Sequence, residues 1–354
     1  MSDKKIKIAI IGVGNCCSSL VQGIELSKIS QLSGVKKVLG GYKVSDIDIV
    51  GAFDIDVRKV GQDLHEAIFQ YPNCTEIFHR PNRSSKVIVE KTEVMDGISE
   101  HLKNYPEAKR IVEGTQIAID LSVRLKELSP DFLISYLPVG SEKMSEYVAE
   151  SCIRAGVNFI NAIPVFICSN KSWRSRFKDA GLICIGDDIK SQIGATIIHR
   201  TLSRLLNKRG VVIDNTYQLN VGGNTDFLNM LNRNRLESKK ISKTQSVTSQ
   251  IEHDMSLDNV HIGPSDYIPF LNDNKIAFIY LEGKLFGGQK MTIDLKLSVE
   301  DSPNSAGSMI DAIRLGKKAI ENNDWELVDN ISALYFKSPN VQVSDDELWK
   351  FFED

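Results

Sequence analysis

Residues 6–23 read IKIAIIGVGNCCSSLVQG, and this stretch decides the expected fold. The apolar run Ile6–Ile11 is broken by one lysine and predicts a short buried strand. The turn Gly12-Val13-Gly14-Asn15 follows it, and a helical pattern then runs from Ser18 to about Ile29. A strand, a tight glycine turn and a helix make the first half of a mononucleotide-binding unit.

The two glycines of the turn have separate expected roles. Gly12 permits the sharp bend, and Gly14 lets the backbone approach a pyrophosphate, which the positive N-terminus of the helix then attracts. The fingerprint is incomplete, because Cys17 stands where a third glycine is expected. Dinucleotide binding is the favoured interpretation, and a merely structural turn is the alternative.

The second predicted strand, Ile47–Phe53, ends in the acidic sequence Asp54-Ile55-Asp56. An acid at this place suits the adenosine ribose diol and favours NAD over NADP, and Asp54 is the first choice. It lies further from the glycines than the usual ~20 residues, and the polar insertion 30–46 accounts for the excess. Asp56 suits a helix N-cap better.

Strands and helices alternate through the next part of the chain. This alternation predicts an α/β fold with a Rossmann-like, doubly wound parallel sheet. Further strands are expected at Lys86–Glu90, Phe132–Leu137, Asn158–Ala162 and Leu182–Ile185, and helices at Thr115–Leu128, Ser145–Ala155 and Trp173–Ala180. Ligands of such folds collect at the carboxyl ends of the strands, where Gly, Pro, Asn and Asp residues fall in this sequence.

The segment Asp187–Thr196 is expected to open a long helix that ends near Leu206. Hydroxyls and free amides at its first turn would suit a phosphate, and they would come from Ser191, Gly194 and Thr196. The alternative is that Asp188 and Ser191 are helix caps, and for Asp187 capping is the preferred interpretation.

After Gly210 the pattern changes to strands with a period of two. They are expected at Val211–Val221, Lys275–Leu281 and Lys290–Val299, and they precede a helix at Ser305–Glu321 and a polar tail over 322–354. The last two strands are expected to pair antiparallel, with Gly283–Gly288 as their turn. We therefore expect an inserted α+β domain for catalysis and oligomerisation, residues 211–304. The NAD-binding domain would be residues 1–210, completed by 305–354.

The stretch 219–244, LNVGGNTDFLNMLNRNRLESKKISKT, carries a glycine-asparagine turn and a lysine cluster. Lys239 and Lys243 are four residues apart, so on a helix both ammonium groups would lie on one face and repel each other. An anion or a developing oxyanion between them would remove that repulsion. The alternative is a solvated basic face, which is the interpretation adopted for Lys240.

Size, composition and charge exclude several classes of protein. The 354 residues suggest two domains, and 42% hydrophobic with 25% charged residues excludes disordered and fibrous chains. A net charge of −3 gives no electrostatic case for nucleic acid or a membrane surface. The six cysteines form no C-x-x-C pair, and there is no signal segment and no apolar run of about 18 residues. A reduced, cytoplasmic setting is expected.

Several phrases are specific when taken together: IGVGNCCSSLVQG, SYLPVGS, GDDIKSQIGAT, LNVGGNTDFLNM, SKKISKT, VEDSPN and LYFKSP. The chain resembles inositol-1-phosphate synthase over residues 6–339, in the shorter form of archaea and actinobacteria. The resemblance implies conversion of glucose 6-phosphate to 1L-myo-inositol 1-phosphate, with NAD⁺ used and regenerated. The sugar is oxidised at C5, an enolate forms at C6, C6 attacks the C1 aldehyde, and C5 is reduced again.

The resemblance also implies roles for four lysines. Lys239 and Lys275 would flank the C5 oxygen during hydride transfer and enolisation. Lys337 would serve the C1 oxygen in cyclisation, and Lys243 would serve the phosphate. An enolate oxygen and an aldol alkoxide each need a preorganised cation, worth several kcal/mol in a water-poor site. Taken alone, Lys275 and Lys337 would be interpreted as surface lysines.

The remaining implied site residues fall into three groups. The substrate phosphate would be held by Ser191, Gln192, Gly194 and Thr196. Asn220 and Asp226 match the polar pocket of the family, and Asp188 and Asp301 would orient lysines beside the nicotinamide. The cofactor would contact Gly12, Gly14, Asn15, Cys16, Asp54, Ser135, Pro138, Asp188 and Asp301. No histidine matches a motif, and a stimulating cation, divalent or monovalent, stays unassigned.

Two other functions fit parts of the sequence. An NAD-dependent dehydrogenase of the homoserine or semialdehyde type would need no four-lysine pocket. A non-catalytic NAD-sensing or scaffold protein would keep the glycine turn without Asp188, Lys239, Lys275 and Lys337 together. The resemblance implies a homotetramer, to which the antiparallel domain would offer a sheet for pairing.

Overall fold

The computed structural model describes residues 4–232, 256–343 and 347–348. Lys239, Lys240 and Lys243 lie outside the described residues, so the predicted lysine cluster is not part of the geometry below.

The first sheet has six parallel strands in the order β3-β2-β1-β4-β5-β6. Their bounds are β1 Ile6–Ile11, β2 Ile47–Asp54, β3 Val89–Lys91, β4 Phe132–Ser135, β5 Asn158–Asn161 and β6 Cys184–Gly186. The order reverses between β1 and β4, and this switch point is where dinucleotide folds bind their ligands. The predicted Rossmann-like sheet is confirmed.

Helices cover both faces of this sheet, as the doubly wound prediction requires. They are α1 Asn15–Ser27, α2 Leu64–Ala67, α3 Leu121–Leu128, α4 Glu142–Ala155 and α5 Lys171–Asp179, followed near the end of the chain by α8 Asp301–Asn322 and α9 Trp325–Tyr335. Buried residues of α1, α8 and α9, such as Leu20, Ile313 and Ile331, form the core on one face. Those of α3, α4 and α5, such as Leu125 and Val148, form the other.

The second sheet has four strands in the order β10-β9-β7-β8. The bounds are β7 Val212–Gly222, β8 Val260–Tyr267, β9 Asn274–Lys284 and β10 Lys290–Glu300. The described residues between β6 and β8 include the helices α6 Ala195–Lys208 and α7 Thr225–Asn229. β9 and β10 pair antiparallel, as predicted, and β8 adds a parallel partner to β7. α6 packs on one face of this sheet, against Ile213, Ile279 and Leu281.

Two helix predictions differ from the structure. α3 begins at Leu121 instead of Thr115, because the Asp120 carboxylate accepts from the Ser122 and Val123 amides and caps the helix there. The expected polar tail contains α9, whose Val328 and Ile331 are buried. This helix has only 11 residues, and helical periodicity over so short a segment is a weak signal.

The segment before α6 also differs from the sequence-based expectation. α6 begins at Ala195 with Gly194 as its N-cap, so Asp187, Asp188 and Ser191 precede the helix and do not cap it. Asp187 is fully buried, and its carboxylate accepts from the Asn161 amide and from Ser169. It therefore holds the loop after β5 in place.

The division into domains follows from this packing as a proposal. We propose that residues 1–210, completed by 305–354, form the cofactor-binding domain and that 211–304 form the inserted domain. α8 supports this division, because it returns from the second sheet to pack beside α1 on the first. α6 lies at the junction and contacts β7 and β9. No helix among the described residues is long and apolar enough to cross a membrane.

Candidate active site

A cavity of about 270 Å³ opens between the two sheets, at the carboxyl end of the parallel one. Most of the described site residues named from the sequence line it: Gly12, Gly14, Asn15, Cys16, Asp54, Pro138, Asp188, Ser191, Gly194, Thr196, Asn220, Asp226, Lys275, Asp301 and Lys337. Both sheets contribute, so the fold brings together residues that lie up to 325 positions apart in the chain, Gly12 and Lys337.

The glycine turn has the geometry that the sequence predicted for it. Gly12 has a φ of +94°, and a Cβ added there would lie 2.5 Å from the Tyr136 carbonyl oxygen. A Cβ added at Gly14 would meet no protein atom within 4 Å, because Gly14 faces the cavity as the N-cap of α1. The turn could hold a pyrophosphate against the first amides of α1.

These contacts predict different results for alanine at the two glycines. Gly12→Ala should destabilise the protein without any ligand, because of the positive φ and the clash. Gly14→Ala should leave the melting temperature without ligand nearly unchanged and weaken NAD⁺ binding by about tenfold or more, since only a bound ligand would meet the methyl group. Thermal unfolding and isothermal titration calorimetry with NAD⁺ measure both. Unchanged NAD⁺ affinity in Gly14→Ala would contradict pyrophosphate binding at this turn.

Asp54 lies directly beside the glycine turn. One carboxylate oxygen accepts from the Val13 amide at 2.7 Å, and the other accepts from the Ile55 amide at 2.6 Å and the Asp56 amide at 2.8 Å. The buried Lys59 ammonium donates to the Val13 carbonyl at 2.7 Å. The carboxylate is thus fixed at the end of β2, where a ribose diol could reach its remaining acceptor sites.

Asn15 and Cys16 anchor the start of α1. The Asn15 side-chain oxygen accepts from the Cys74 amide at 2.7 Å and the Thr75 amide at 3.1 Å. The Cys16 thiol lies 3.8 Å from the Ser302 hydroxyl on α8. Burial raises the pKa of Cys16 to about 12, so this thiol is protonated at neutral pH and serves as a packing group.

The first lysine–aspartate pair of the cavity joins the second sheet to α8. The Lys275 ammonium lies 2.9 Å from the Asp301 carboxylate and 5.9 Å from the centre of the Phe227 ring. Burial alone would lower the pKa of Lys275, but the carboxylate outweighs burial and raises the pKa above its usual value. Lys275 is therefore a fixed cation at neutral pH, suited to stabilise a negative oxygen.

The second lysine–aspartate pair is held by backbone hydrogen bonds between residues 187–190 and 335–338. The Lys337 ammonium lies 2.7 Å from the Asp188 carboxylate and donates to the Ile189 carbonyl at 2.9 Å. The Lys337 amide donates to the Asp188 carbonyl at 2.8 Å, so backbone and side chain are fixed together. Asp188 has a φ of +64°, a conformation that is rare outside glycine and clusters at functional sites.

The start of α6 has free backbone amides that could hold an anion. Its N-cap, Gly194, supplies no side-chain acceptor to the first amides of the helix, and Ser191 and Thr196 line the cavity beside it. Gln192 is placed differently: its amide donates to the Asn304 carbonyl and its side chain donates to the Gly34 carbonyl. Ser135 is fully buried in β4, and the described lining of the cavity does not include it.

Asp273 supports the site through its hydrogen bonds, and the sequence reasoning missed it. It is buried, and its carboxylate accepts from the Asn224 amide at 2.8 Å and the Ser302 hydroxyl at 2.9 Å. Burial, and after it the negative charge of Asp301, raise the pKa of Asp273 to about 6. Because Asn224 caps α7 and Ser302 lies in α8, Asp273 joins the two helices that bear Asp226 and Asp301. In the sequence, its position directly before Asn274-Lys275 is the feature that could have pointed to a role near the site.

His199 on α6 is fully buried, and burial lowers its pKa to about 4. In the unfolded chain a histidine titrates near 6.5, so the unfolded state binds more protons as the pH falls. Stability should therefore decrease between pH 6.5 and pH 4, by about 3 kcal/mol from this group. We expect His199→Asn to remove this part of the acid destabilisation. Urea unfolding of both proteins at pH 7 and pH 4.5 measures it, and parallel losses would show that the prediction is wrong.

No cluster of three His, Cys, Asp or Glu side chains within the described ranges could hold a metal ion. Any cation-binding residue therefore stays unassigned.

Comparison with known proteins agrees with this geometry. The sequence model of the myo-inositol-1-phosphate synthase family matches residues 194–302. The chain is 47% identical to an inositol-3-phosphate synthase of Mycolicibacterium smegmatis, over 99% of this chain and 98% of that protein. It is also 47% identical to the inositol-3-phosphate synthase of Corynebacterium glutamicum, over 98% and 96%.

A solved structure gives the same result. A myo-inositol-1-phosphate synthase-related protein from Thermotoga maritima superposes with a TM-score of 0.77 at 25% identity, covering 96% of this chain and 94% of that one. The family and the enzyme class predicted from the sequence are thereby confirmed, and the synthase is supported over the dehydrogenase. The identity over nearly the whole length places this chain in the myo-inositol-1-phosphate synthase family.

Proposed function

We propose that this protein converts D-glucose 6-phosphate to 1L-myo-inositol 1-phosphate, also named 1D-myo-inositol 3-phosphate, in inositol biosynthesis. The observation that carries the proposal is the pair of lysine–aspartate contacts, Lys275–Asp301 and Lys337–Asp188, that line one cavity beside the glycine turn. A simple dehydrogenase needs one polarising group at the carbon it oxidises. Two fixed cations suit a reaction in which negative charge develops on two different oxygens.

The proposed cofactor is NAD, held by the glycine turn with Asp54 at the ribose. When bound at this turn, NAD⁺ would supply the hydride acceptor for C5, and the NADH so formed would supply the hydride for the later reduction. Asp54 supports NAD over NADP, because a carboxylate accepts from a ribose hydroxyl and repels a 2′-phosphate. Asn15, Cys16, Ser135 and Pro138 remain proposed cofactor neighbours.

Lys275 is proposed to act at the C5 oxygen. Loss of a proton from C6, next to the C5 ketone, places negative charge on that oxygen, and a fixed ammonium lowers the energy of this enolate. Asp301 keeps the ammonium charged and oriented through the 2.9 Å contact. Lys239 is proposed for the same oxygen from the sequence alone.

Lys337 is proposed to act at the C1 oxygen. When C6 attacks the C1 aldehyde, the new carbon–carbon bond leaves an alkoxide on C1, and the Lys337 ammonium can stabilise it and give it a proton. Asp188 and the Ile189 carbonyl fix the ammonium in one place, which avoids reorganisation during the reaction. The separate positions of Lys275 and Lys337 suit the separate positions of C5 and C1 on the substrate.

The substrate phosphate is proposed to bind at the start of α6. Ser191, Gly194 and Thr196 surround the first turn of this helix, and its free amides attract an anion. Lys243 is proposed as a further phosphate contact, and Asn220 and Asp226 as polar contacts to the sugar. Gln192 is kept as a proposed phosphate residue because Ser191 and Gly194, on either side of it in the sequence, lie at this site. Its own backbone and side-chain amides donate to the Asn304 and Gly34 carbonyls.

We further propose a homotetramer in the cytoplasm. One face of the second sheet is covered by α6, whereas Leu219 and Phe278 on the other face are exposed. Exposed apolar residues on a sheet face suit packing against a second copy of the chain.

The test is the stoichiometry of the reaction. We expect incubation with glucose 6-phosphate and a small amount of NAD⁺ to yield many molecules of inositol phosphate per NAD⁺, with no net NADH. Phosphate release after periodate oxidation measures the product, and absorbance at the nicotinamide band measures NADH. Accumulation of NADH in step with substrate loss would instead identify a dehydrogenase.

A further inference from the structure

A buried lysine lies beside the glycine turn and has no carboxylate partner. Lys59 is 3% exposed, and its ammonium donates to the Val13 carbonyl at 2.7 Å and to the Asn73 side-chain oxygen at 2.9 Å. Both acceptors are neutral, and no carboxylate of the described residues forms an ion pair with this ammonium. Because a buried charge without a counter-ion is costly, the ammonium indicates that a negative group binds nearby.

Hydrogen bonds to Val13 fix the glycine turn from both sides. The Val13 amide donates to the Asp54 carboxylate at 2.7 Å. The Val13 carbonyl accepts from the Lys59 ammonium and also from the Asn73 side-chain amide, at 3.1 Å. Asn73 donates as well to the Ile68 carbonyl at 2.9 Å, so its own position is fixed. Three side chains therefore set the conformation of the turn at Val13.

The backbone amide of Gly14 is the donor that this arrangement orients. The Val13–Gly14 peptide bond is trans, so its carbonyl and its N–H point in opposite directions. The carbonyl points to Lys59, so the N–H points away from Lys59, and Gly14 lines the cavity. This amide has no acceptor among the described residues. A cation bound to the carbonyl polarises the peptide and makes the N–H a stronger donor.

We propose that Lys59 is a positioning residue for the pyrophosphate of the dinucleotide: through the Val13 carbonyl, its ammonium orients and polarises the Gly14 amide that binds the phosphate oxygens. The pyrophosphate would also be the counter-ion that Lys59 lacks within the protein. Lys59 and Asn73 line the same cavity as Gly14, so their charge and dipole lie at this end of the site. The proposal rests on the proposed function, which supplies NAD⁺ as the ligand.

The variant Lys59→Met separates this role from a role in holding the fold. Methionine has a similar length and carries no charge. The Val13 carbonyl keeps its bond from Asn73 in this variant, so the turn retains a donor on that side. Removal of an unpaired buried charge also removes the cost of burying it. We therefore expect the ligand-free variant to melt at the wild-type temperature or above it, whereas a role in holding the fold predicts a lower melting temperature.

Two ligands separate an effect on the pyrophosphate from an effect on the ribose. ADP-ribose carries the pyrophosphate and the adenosine diol, whereas adenosine carries only the diol that Asp54 would bind. We expect Lys59→Met to weaken ADP-ribose binding by about tenfold or more and to change adenosine binding by less than about twofold. If Lys59 instead balanced the charge of Asp54, adenosine would lose as much affinity as ADP-ribose. Isothermal titration calorimetry measures ADP-ribose, and ligand-detected NMR titration measures adenosine.

Lys91→Met is the matched control for loss of a buried lysine. Lys91 is 9% exposed, and its ammonium donates to the Gly114 carbonyl at 2.6 Å and lies 3.2 Å from the Glu113 carboxylate. The described lining of the cavity does not include Lys91. We expect this variant to bind ADP-ribose within about twofold of wild type.

Lys59→Gln gives a second test that does not depend on the methionine variant folding. Glutamine keeps a neutral side-chain donor near the Val13 carbonyl and removes the charge. Because the proposal assigns the effect to the charge, we expect the same preferential loss of ADP-ribose affinity over adenosine affinity.

Several results would overturn the proposal. They are wild-type ADP-ribose affinity in the Lys59 variants, equal losses for adenosine and ADP-ribose, a melting temperature of Lys59→Met clearly below wild type, and the same loss of affinity in Lys91→Met. If the wild-type protein binds neither NAD⁺ nor ADP-ribose, the proposed function fails instead. The two failures are distinguishable, because the wild-type protein alone decides the second.

Discussion

Replacing Lys275 with methionine should lower turnover at least about 100-fold and prevent NADH formation in a single turnover, while NAD⁺ still binds. Methionine keeps the length of the side chain and removes its charge. The cation would then be missing from the oxygen at which oxidation and enolisation occur, and Asp301 would lose the partner that lies 2.9 Å away. Stopped-flow absorbance with excess enzyme measures the NADH, and calorimetry measures NAD⁺ binding.

Lys284→Met is the matched control for this experiment. Lys284 lies on the same strand as Lys275 and also pairs with an aspartate, Asp214, at 3.1 Å, but its side chain is 58% exposed. Exposed ion pairs contribute little to stability, so this variant should keep nearly full activity. Full activity in Lys275→Met would refute its assigned role, and equal loss in both variants would point to a general effect on β9.

Replacing Lys337 with methionine should also lower turnover at least about 100-fold, but the reaction should stop at a later stage. Oxidation at C5 depends on Lys275 and remains possible, whereas closure of the ring needs a cation at C1. We therefore expect bound NADH to approach one equivalent per subunit and to persist. The same stopped-flow measurement, followed by product analysis after quenching, distinguishes the two lysines.

Lys317→Met controls for loss of a partly buried ion pair. Lys317 lies 2.8 Å from Asp131, and its side chain is 18% exposed against 14% for Lys337. The described lining of the cavity does not include it. This variant should lose some stability and keep its activity. If Lys337→Met shows neither NADH accumulation nor a lower rate, the assignment of Lys337 to the C1 oxygen is wrong.

The fold was largely predictable because its signals are local. The first strand, its glycine turn and the following helix are adjacent in the chain, and the antiparallel pair β9–β10 shows a clear period of two. β8 was missed because Val260–Tyr267 carries Gly263 and Pro264 in its middle, and both residues interrupt strand patterns. The helix α9 was missed because it is short, with only 11 residues.

The site was less predictable because its contacts are not local. Lys275 meets Asp301 because β9 and β10 pair antiparallel, which brings the start of one strand beside the end of the other. Lys337 meets Asp188 across 149 residues, through a backbone ladder that no periodicity indicates. Only family-specific sequence motifs such as GDDIKS and LYFKSP identified these residues as candidates. Asp273 and His199 lie in no such motif. Both side chains are buried by the fold, and this burial shifts their pKa values.

The central claim is that one enzyme removes a hydride from C5 and returns it after two fixed ammonium groups have supported ring closure. Glucose 6-phosphate deuterated at C5, incubated with a substoichiometric amount of NAD⁺, tests this claim in one mass spectrum. We predict inositol phosphate that retains one deuterium in nearly every molecule, with no deuterium in free NADH. Deuterium that accumulates in free NADH, together with an oxidised sugar phosphate, would contradict the account.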